Sequence, residues 1–211
     1  MPVRRLPMFP LGTVLLPSAH LPLHIFEPRY RALIRDCLAG DREFGVVLIE
    51  RGQEVGGGDI RFPVGTVARI LQTVELPDGR WLVDAVGTDR FRVTEWLPED
   101  PYPLAMVEDL DEEPFDAGPE AEAAGRRTAV ERLLRQVLAI QVELGFPAPS
   151  AVRTLDENPA TAAYEAALLS PIGPMDSQKL LEAPGAVARL ALLETMLDEA
   201  RDVLARRIAE D

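Results

Sequence analysis

Thr66 to Val86 reads T-V-A-R-I-L-Q-T-V-E-L-P-D-G-R-W-L-V-D-A-V. Two runs rich in apolar and β-branched residues, Thr66–Leu76 and Arg80–Val86, flank Pro77-Asp78-Gly79. Proline presets φ at the first turn position and glycine accepts a positive φ, so the segment is expected to form two strands joined by a tight turn. Upstream, Glu43–Glu50 (E-F-G-V-V-L-I-E) is a continuous apolar run of strand length. Downstream, Arg90-Phe91-Arg92-Val93-Thr94 alternates, which places Phe91 and Val93 inward and leaves Arg90 and Arg92 in solvent. Tyr102–Leu110 reads as one more strand. Pro7, Pro10, Pro17 and Pro22 punctuate the opening stretch. Proline cannot donate to a ladder, so strands there are expected to be short or to lie at edges. Several strands at short spacing with tight turns imply a barrel or a sandwich.

One helix interrupts this half. Pro28 suits a first helical turn, Tyr30, Leu33, Ile34, Cys37 and Leu38 recur on one helical face, and Gly40 stands where a helix stops. After about residue 115 the period changes from 2 to 3.6. Val130, Leu133, Leu134, Val137, Leu138 and Gln141 trace one stripe. Ala160–Leu169 is a short alanine-rich helix ended by Pro171. A third helix is expected to start at a cap on Asp176 or Ser177 and to run through Leu181. Val187, Leu190, Leu193, Leu197, Ala200, Leu204 and Ile208 form the last stripe. The expectation is an α+β chain: a β-rich unit over residues 1–115 and a helical bundle over residues 116–211.

The formal net charge of −13 is unevenly spread. Residues 108–119, E-D-L-D-E-E-P-F-D-A-G-P, hold six acids and no base, and read as a solvated connector. This sign opposes phosphate backbones and anionic membranes, so neither nucleic acid nor membrane is expected as a partner. A single cysteine, Cys37, precludes an internal disulfide and favours a reducing compartment. The N-terminus makes a poor signal peptide, and no apolar run approaches the ~20 residues of a membrane span. A cytoplasmic location follows as an expectation.

Sites of chemistry are scarce. His20 and His24 are the only histidines. On a strand they share a face but lie about 13 Å apart, too far for one metal ion. The glycine-rich loop Gly52–Asp59 lacks the lysine and the following helix of a phosphate-binding loop. Cys37 belongs to an apolar stripe and reads as core rather than nucleophile. No G-x-S-x-G elbow occurs, and Lys179 beside Ser177 reads as surface. No catalytic residue, metal site or cofactor is expected.

Leu6–Leu38 carries a longer signature: L-P-M-F-P-L-G-T-V-L-L-P, then L-P-L-H-I-F-E-P-R-Y. Phe44-Gly45-Val46-Val47-Leu48, Val64-Gly65-Thr66-Val67-Ala68, Asp78-Gly79-Arg80 and Gly87-Thr88-Asp89-Arg90-Phe91 extend it. The string resembles the N-terminal substrate-binding domain of Lon proteases. The resemblance implies a PUA-like open β-barrel with one helix, followed by a helical subdomain, and a role in recognising protein substrates. It supplies no catalytic residue, and these 211 residues contain neither a Walker motif nor a Ser–Lys peptidase domain. Within the signature, Gly12, His24, Phe26, Glu27, Arg29 and Tyr30 read as architectural. Gly12 and Gly65 suit turns or bulges, Phe26 and Tyr30 suit packing between helix and barrel, and Glu27 suits the helix N-terminus.

The expected function is a non-catalytic module that binds polypeptide substrates, or that serves a protease or chaperone partner as an adaptor in protein quality control. The alternatives are a PUA-like RNA-binding protein and an enzyme with an unrecognised site. A partner is expected near Arg51, Glu54, Gly56, Gly57, Gly58, Asp59 and Arg61, where three consecutive glycines leave the backbone free to adapt and an extended peptide can add to a sheet edge. Oligomeric state is not legible.

Overall fold

The structure is a computed structural model that describes residues 3–51, 60–111, 119–149 and 154–210. By Cα proximity the chain divides into two compact units, Met1–Asp111 and Glu112–Asp211. Among the described residues the first holds six strands and one helix: β1 (Val3–Leu11), β2 (His20–Ile25), α1 (Pro28–Ala39), β3 (Glu43–Arg51), β4 (Ile60–Glu75), β5 (Trp81–Leu97) and β6 (Leu104–Leu110). The second holds α2 (Pro119–Glu143), α3 (Pro159–Leu169), α4 (Pro174–Glu182) and α5 (Ala186–Glu210). The class is α+β.

The strand order is β2-β5-β4-β3-β1-β6, and β6 returns to pair with β5. Five strands therefore close on themselves, and β2 stands outside the ring as an edge strand. Closure depends on β5 changing partners along its length. Trp81–Val86 pairs with β2, whereas Arg90–Leu97 pairs with β6. The two short strands expected at Arg80–Val86 and Arg90–Thr94 are thus one strand. Gly87 lies between the two halves, where an added Cβ would stand 2.4 Å from the Leu16 carbonyl oxygen. β4 likewise starts earlier than its apolar pattern, at Ile60.

The prolines of β1 correct a simple rule. β1 lies between β3 and β6 rather than at an edge, and it is nine residues long. Its halves change partner: Val3–Pro7 pairs with β6 and Met8–Leu11 pairs in parallel with β3, with Met8 N at the junction donating to the Pro103 carbonyl at 2.8 Å. Pro7 and Pro10 can therefore turn their donor-less nitrogens away from the ladder. Pro22, in β2, fits the edge position expected of it.

Two apolar clusters hold this unit. Inside the ring, Leu6, Met8, Val47, Val67, Phe91, Ala105 and Val107 pack together. On the other side, the α1 face of Tyr30, Leu33, Ile34 and Cys37 packs with Phe9, Ile25, Phe44, Val46, Ile70, Val83 and Ala85. Phe91 is buried and Val93 packs against the inner cluster, but Arg90 is only 4% exposed, against the solvated position read from alternation. It pairs with Thr66 on one side and Leu110 on the other, and its Nη2 donates to the Asp111 carbonyl at 3.4 Å. The acidic run 108–119 is not wholly a connector either, since Glu108 and Asp109 belong to β6.

In the helical unit α5 packs against α2, α3 and α4. Asn158 caps α3 through its side chain, with Pro159 in the first turn. α4 begins at Pro174 behind Gly173 with no side-chain cap, so neither Asp176 nor Ser177 serves as the cap: Pro174 starts the helix earlier. Arg189 is fully buried, stacks 4.0 Å over the Tyr164 ring and donates from Nε to the Leu180 carbonyl at 3.2 Å.

Candidate functional site

The outward face of β2, β5 and β4 departs from the usual division of a half-buried sheet, in which the solvent side is polar. Register aligns His24 with Leu82 and Leu82 with Val74, and the next outward row aligns Pro22 with Asp84 and Asp84 with Gln72. Leu82 is 45% exposed, Val74 56% and, beside a register shift in β4, Leu71 44%. Leu82 and Val74, though not Leu71, line a shallow, mainly apolar groove of about 450 Å³ together with Pro22, His24 and Asp84 among others. Its single acid, Asp84, has Oδ1 3.5 Å from Nδ1 of His20, a partner that is charged only when protonated.

A second, smaller cleft of about 130 Å³ adjoins it across Leu23 and His24. Its walls come from Phe9, Pro10 and Leu11 of β1 and from Ile25, Phe26, Glu27 and Tyr30. His24, Ile25, Phe26, Glu27 and Tyr30 of the signature H-I-F-E-P-R-Y therefore line a surface cleft. Tyr30 is buried against Phe9 at 4.2 Å, as its architectural reading requires. Phe26 is 55% exposed and meets the His24 ring edge-on at 6.4 Å, so it does not pack between helix and barrel. Pro28 starts the helix two residues later, and the chain turns Phe26 outward. Glu27 occupies the N-cap of α1 without a side-chain cap bond; its carboxylate instead accepts from Arg29 Nε at 3.0 Å. Arg29 also covers the Tyr30 ring at 4.5 Å. Gly12 follows the end of β1 in a bend.

The expected partner site is only partly described. Glu54, Gly56, Gly57, Gly58 and Asp59 lie outside the described residues. Arg51 ends β3 opposite Ile60. The Arg61 guanidinium is engaged: Nη2 donates to Glu99 at 2.7 Å and the group lies 4.8 Å over the Trp96 ring.

Other reactive groups are quiet. The Cys37 thiol donates to the Glu43 carbonyl at 3.2 Å, and burial, with the Asp36 charge adding to it, pushes its pKa up to about 12. A thiol so raised is a poor nucleophile. Burial and the bond to Asp36, 2.6 Å long, also raise the Tyr102 phenol. His20 and His24 both lie exposed on β2, and among the described residues no three His, Cys, Asp or Glu gather as a metal site. In the helical unit, the α2–α5 groove is lined by charges that neutralise one another, Arg126 with Glu194 at 3.2 Å and Arg201 with Asp198 at 2.8 Å. Not every apolar side chain of these helices turns inward, since Met175 and Val203 remain more than half exposed.

Residues 5–199 match the family model described as the ATP-dependent protease La (LON) substrate-binding domain. This chain belongs to that family. It is 30% identical to "Lon protease 2" of Myxococcus xanthus over 94% of its own length, and 29% identical to "Lon protease" of Anaeromyxobacter dehalogenans over the same share. It spans about a quarter of the length of these relatives, 24% in both cases. Among solved structures it resembles a Lon N-terminal domain protein from Xanthomonas campestris, with a TM-score of 0.62 and 28% identity over 90% of this chain and 96% of that one. The N-terminal domain of a Mycobacterium avium complex Lon protease shares the fold, with a TM-score of 0.66 and 18% identity over 92% of this chain and 98% of that one. Membership in the Lon substrate-binding domain family makes a substrate-recognition module the frame for the site. No helix among the described residues is long and apolar enough to cross a membrane.

The exposed apolar positions escaped the sequence. Leu82 alternates correctly with Val83, and Val74 with Thr73, but which parity faces outward depends on the register shift between Ile70 and Gln72. The one available signal was that both parities of Trp81–Val86 are apolar apart from Asp84.

Proposed function

We propose that this member of the Lon substrate-binding domain family holds extended polypeptide segments on the outward face of β2, β5 and β4 and in the adjoining cleft at Phe26. The observation that carries the reading is the half-exposed row His24–Leu82–Val74, an apolar strip where a sheet of this kind ordinarily presents polar side chains. Family membership supports polypeptide as the ligand class. Delivery of the held segment to a protease or chaperone partner is the role that such a module would serve, and no catalytic step is assigned to it.

The test is fluorescence anisotropy with a labelled, reduced and carboxymethylated polypeptide that cannot fold. The Leu82→Ser, Val74→Ser double variant removes surface side chains without touching either core. It is expected to weaken binding about tenfold, in keeping with the transfer of two partly buried aliphatic side chains. Unchanged binding by the folded variant refutes this face. The competing location is the Arg51–Arg61 segment: shortening Gly56–Asp59 to a tight turn should leave binding unchanged if the β2–β5–β4 face is the site.

A further inference from the structure

The apolar strip carries one charge. Leu82 and Asp84 are two apart on β5 and share its outward face, about 6.6 Å from each other at the rise of a strand. Asp84 lies between Pro22 and Gln72, neither of which is charged, and its side chain is 45% exposed. No lysine or arginine is among the groove's lining residues. Arg69, opposite Val86 in the β4–β5 ladder, is committed to Glu43 at 2.8 Å. The ion-pair partner that Asp84 has is His20, which does not hold a fixed charge. Glu27, in the neighbouring cleft, is already matched by Arg29.

Resting on the reading above, we infer that the groove selects extended segments in which an apolar residue and a lysine or arginine stand two positions apart. An extended ligand has the same two-residue repeat as β5. An apolar side chain seated on the His24–Leu82–Val74 row then places a side chain two residues away over Asp84. There a cation gains a carboxylate that lacks a permanent partner. A glutamate at that position meets like charge, and a glutamine gains neither.

The experiment uses the full chain and three labelled peptides that differ at one position: Leu-Thr-Lys, Leu-Thr-Gln or Leu-Thr-Glu in the centre of an otherwise identical Gly/Ser/Thr segment. A fourth peptide moves the lysine next to the leucine. The lysine peptide at the two-residue spacing is expected to bind about two- to five-fold more tightly than the glutamine peptide, the range an exposed ion pair supplies. The glutamate peptide should bind more weakly than both. The preference should vanish in Asp84→Asn, should reverse towards glutamate in Asp84→Lys, and should shrink at high salt. Far-UV circular dichroism confirms that each variant is folded. Equal affinity of the lysine and glutamine peptides, or a preference that survives Asp84→Asn, overturns this inference while leaving polypeptide binding intact. Equal affinity for the lysine-shifted peptide overturns the two-residue spacing. Failure of every peptide to bind, with the unfolded polypeptide also unbound, overturns the docking face and this inference together.

Discussion

Phe91 fills the inside of the strand ring, and two glycines make the space for its ring. A Cβ on Gly45 would stand 2.8 Å from Phe91 Cζ and 2.7 Å from Met8 Sδ. A Cβ on Gly65 would stand 2.7 Å from the same Cζ and 2.2 Å from the Val46 carbonyl oxygen. Flexible side chains can retreat, whereas a paired backbone oxygen cannot without disturbing the β3–β4 ladder. Both alanine substitutions are therefore expected to destabilise the fold by about 1–3 kcal/mol, with Gly65→Ala the worse, measured by chemical denaturation. A smaller cost for Gly65→Ala than for Gly45→Ala would contradict this ranking. Cys37 gives a second expectation at this scale. Its folded-state value is raised from 9.0 to about 12, so the unfolded chain loses the thiol proton first as pH rises. The stabilisation is complete below pH 9 and is lost between about 9 and 12. Melting temperatures of the wild type should fall more steeply across pH 8.5–10.5 than those of Cys37→Ala, and identical slopes would refute the burial argument. The core role of Cys37 was legible from its place in an apolar helical stripe. The bearing of Gly65 on Phe91 was not, because it depends on a cross-strand approach between residues far apart in sequence.

Two elements with local signals, α1 and the turn at Pro77-Asp78-Gly79, match their sequence. α1 starts at Pro28 and stops before Gly40, and the Leu76–Arg80 turn closes with a bond from Arg80 N to Asp78 Oδ1 at 3.1 Å and Gly79 at φ 78°. α3 has a local signal too, in Asn158. Asn158 accepts from the backbone nitrogens of Ala160 at 2.9 Å and Thr161 at 3.4 Å. Asn158→Ala should cost about 1 kcal/mol, and Asn158→Asp should recover most of it, as seen in urea unfolding followed at the helical band. Equal losses in both variants would assign the effect to something other than the cap. Elements that rely on distant partners carry no such local signal. β5 is continuous because β2 and β6 take successive halves of one side, and no periodicity within Arg80–Leu97 reports that change. The prolines of β1 likewise follow from its change of partner. The apolar groove belongs to this class, since it exists only where three strands are brought into register.

At the scale of the whole molecule, charge and core distribution lead to different expectations. A net charge of −13 leaves little counterion release to drive association with a phosphate backbone, so RNA affinity at physiological salt is expected to be weaker than micromolar; a sub-micromolar dissociation constant by filter binding would refute that. The second expectation concerns folding. Both apolar clusters of the β unit are assembled from residues between Leu6 and Tyr102–Val107, and its ring of strands closes on itself within that span. The helices bury side chains of their own: Val130, Leu134, Val137 and Leu138 of α2, Tyr164 of α3, Leu180 and Leu181 of α4, and Leu190, Leu193 and Leu197 of α5, and these helices pack on one another. Each unit thus carries its own core and exceeds the ~60 residues at which domains become marginal. We propose that residues 1–115 fold without the remainder. The two tryptophans, Trp81 and Trp96, both lie in β5, so indole fluorescence reports the β unit alone, while ellipticity at 222 nm is dominated by the helices. In guanidinium chloride the fluorescence transition of a 1–115 fragment should share its midpoint and slope with that of the full chain. A fragment with solvent-exposed indole emission in buffer, or a midpoint far below that of the full chain, would show that the β unit depends on the helical one.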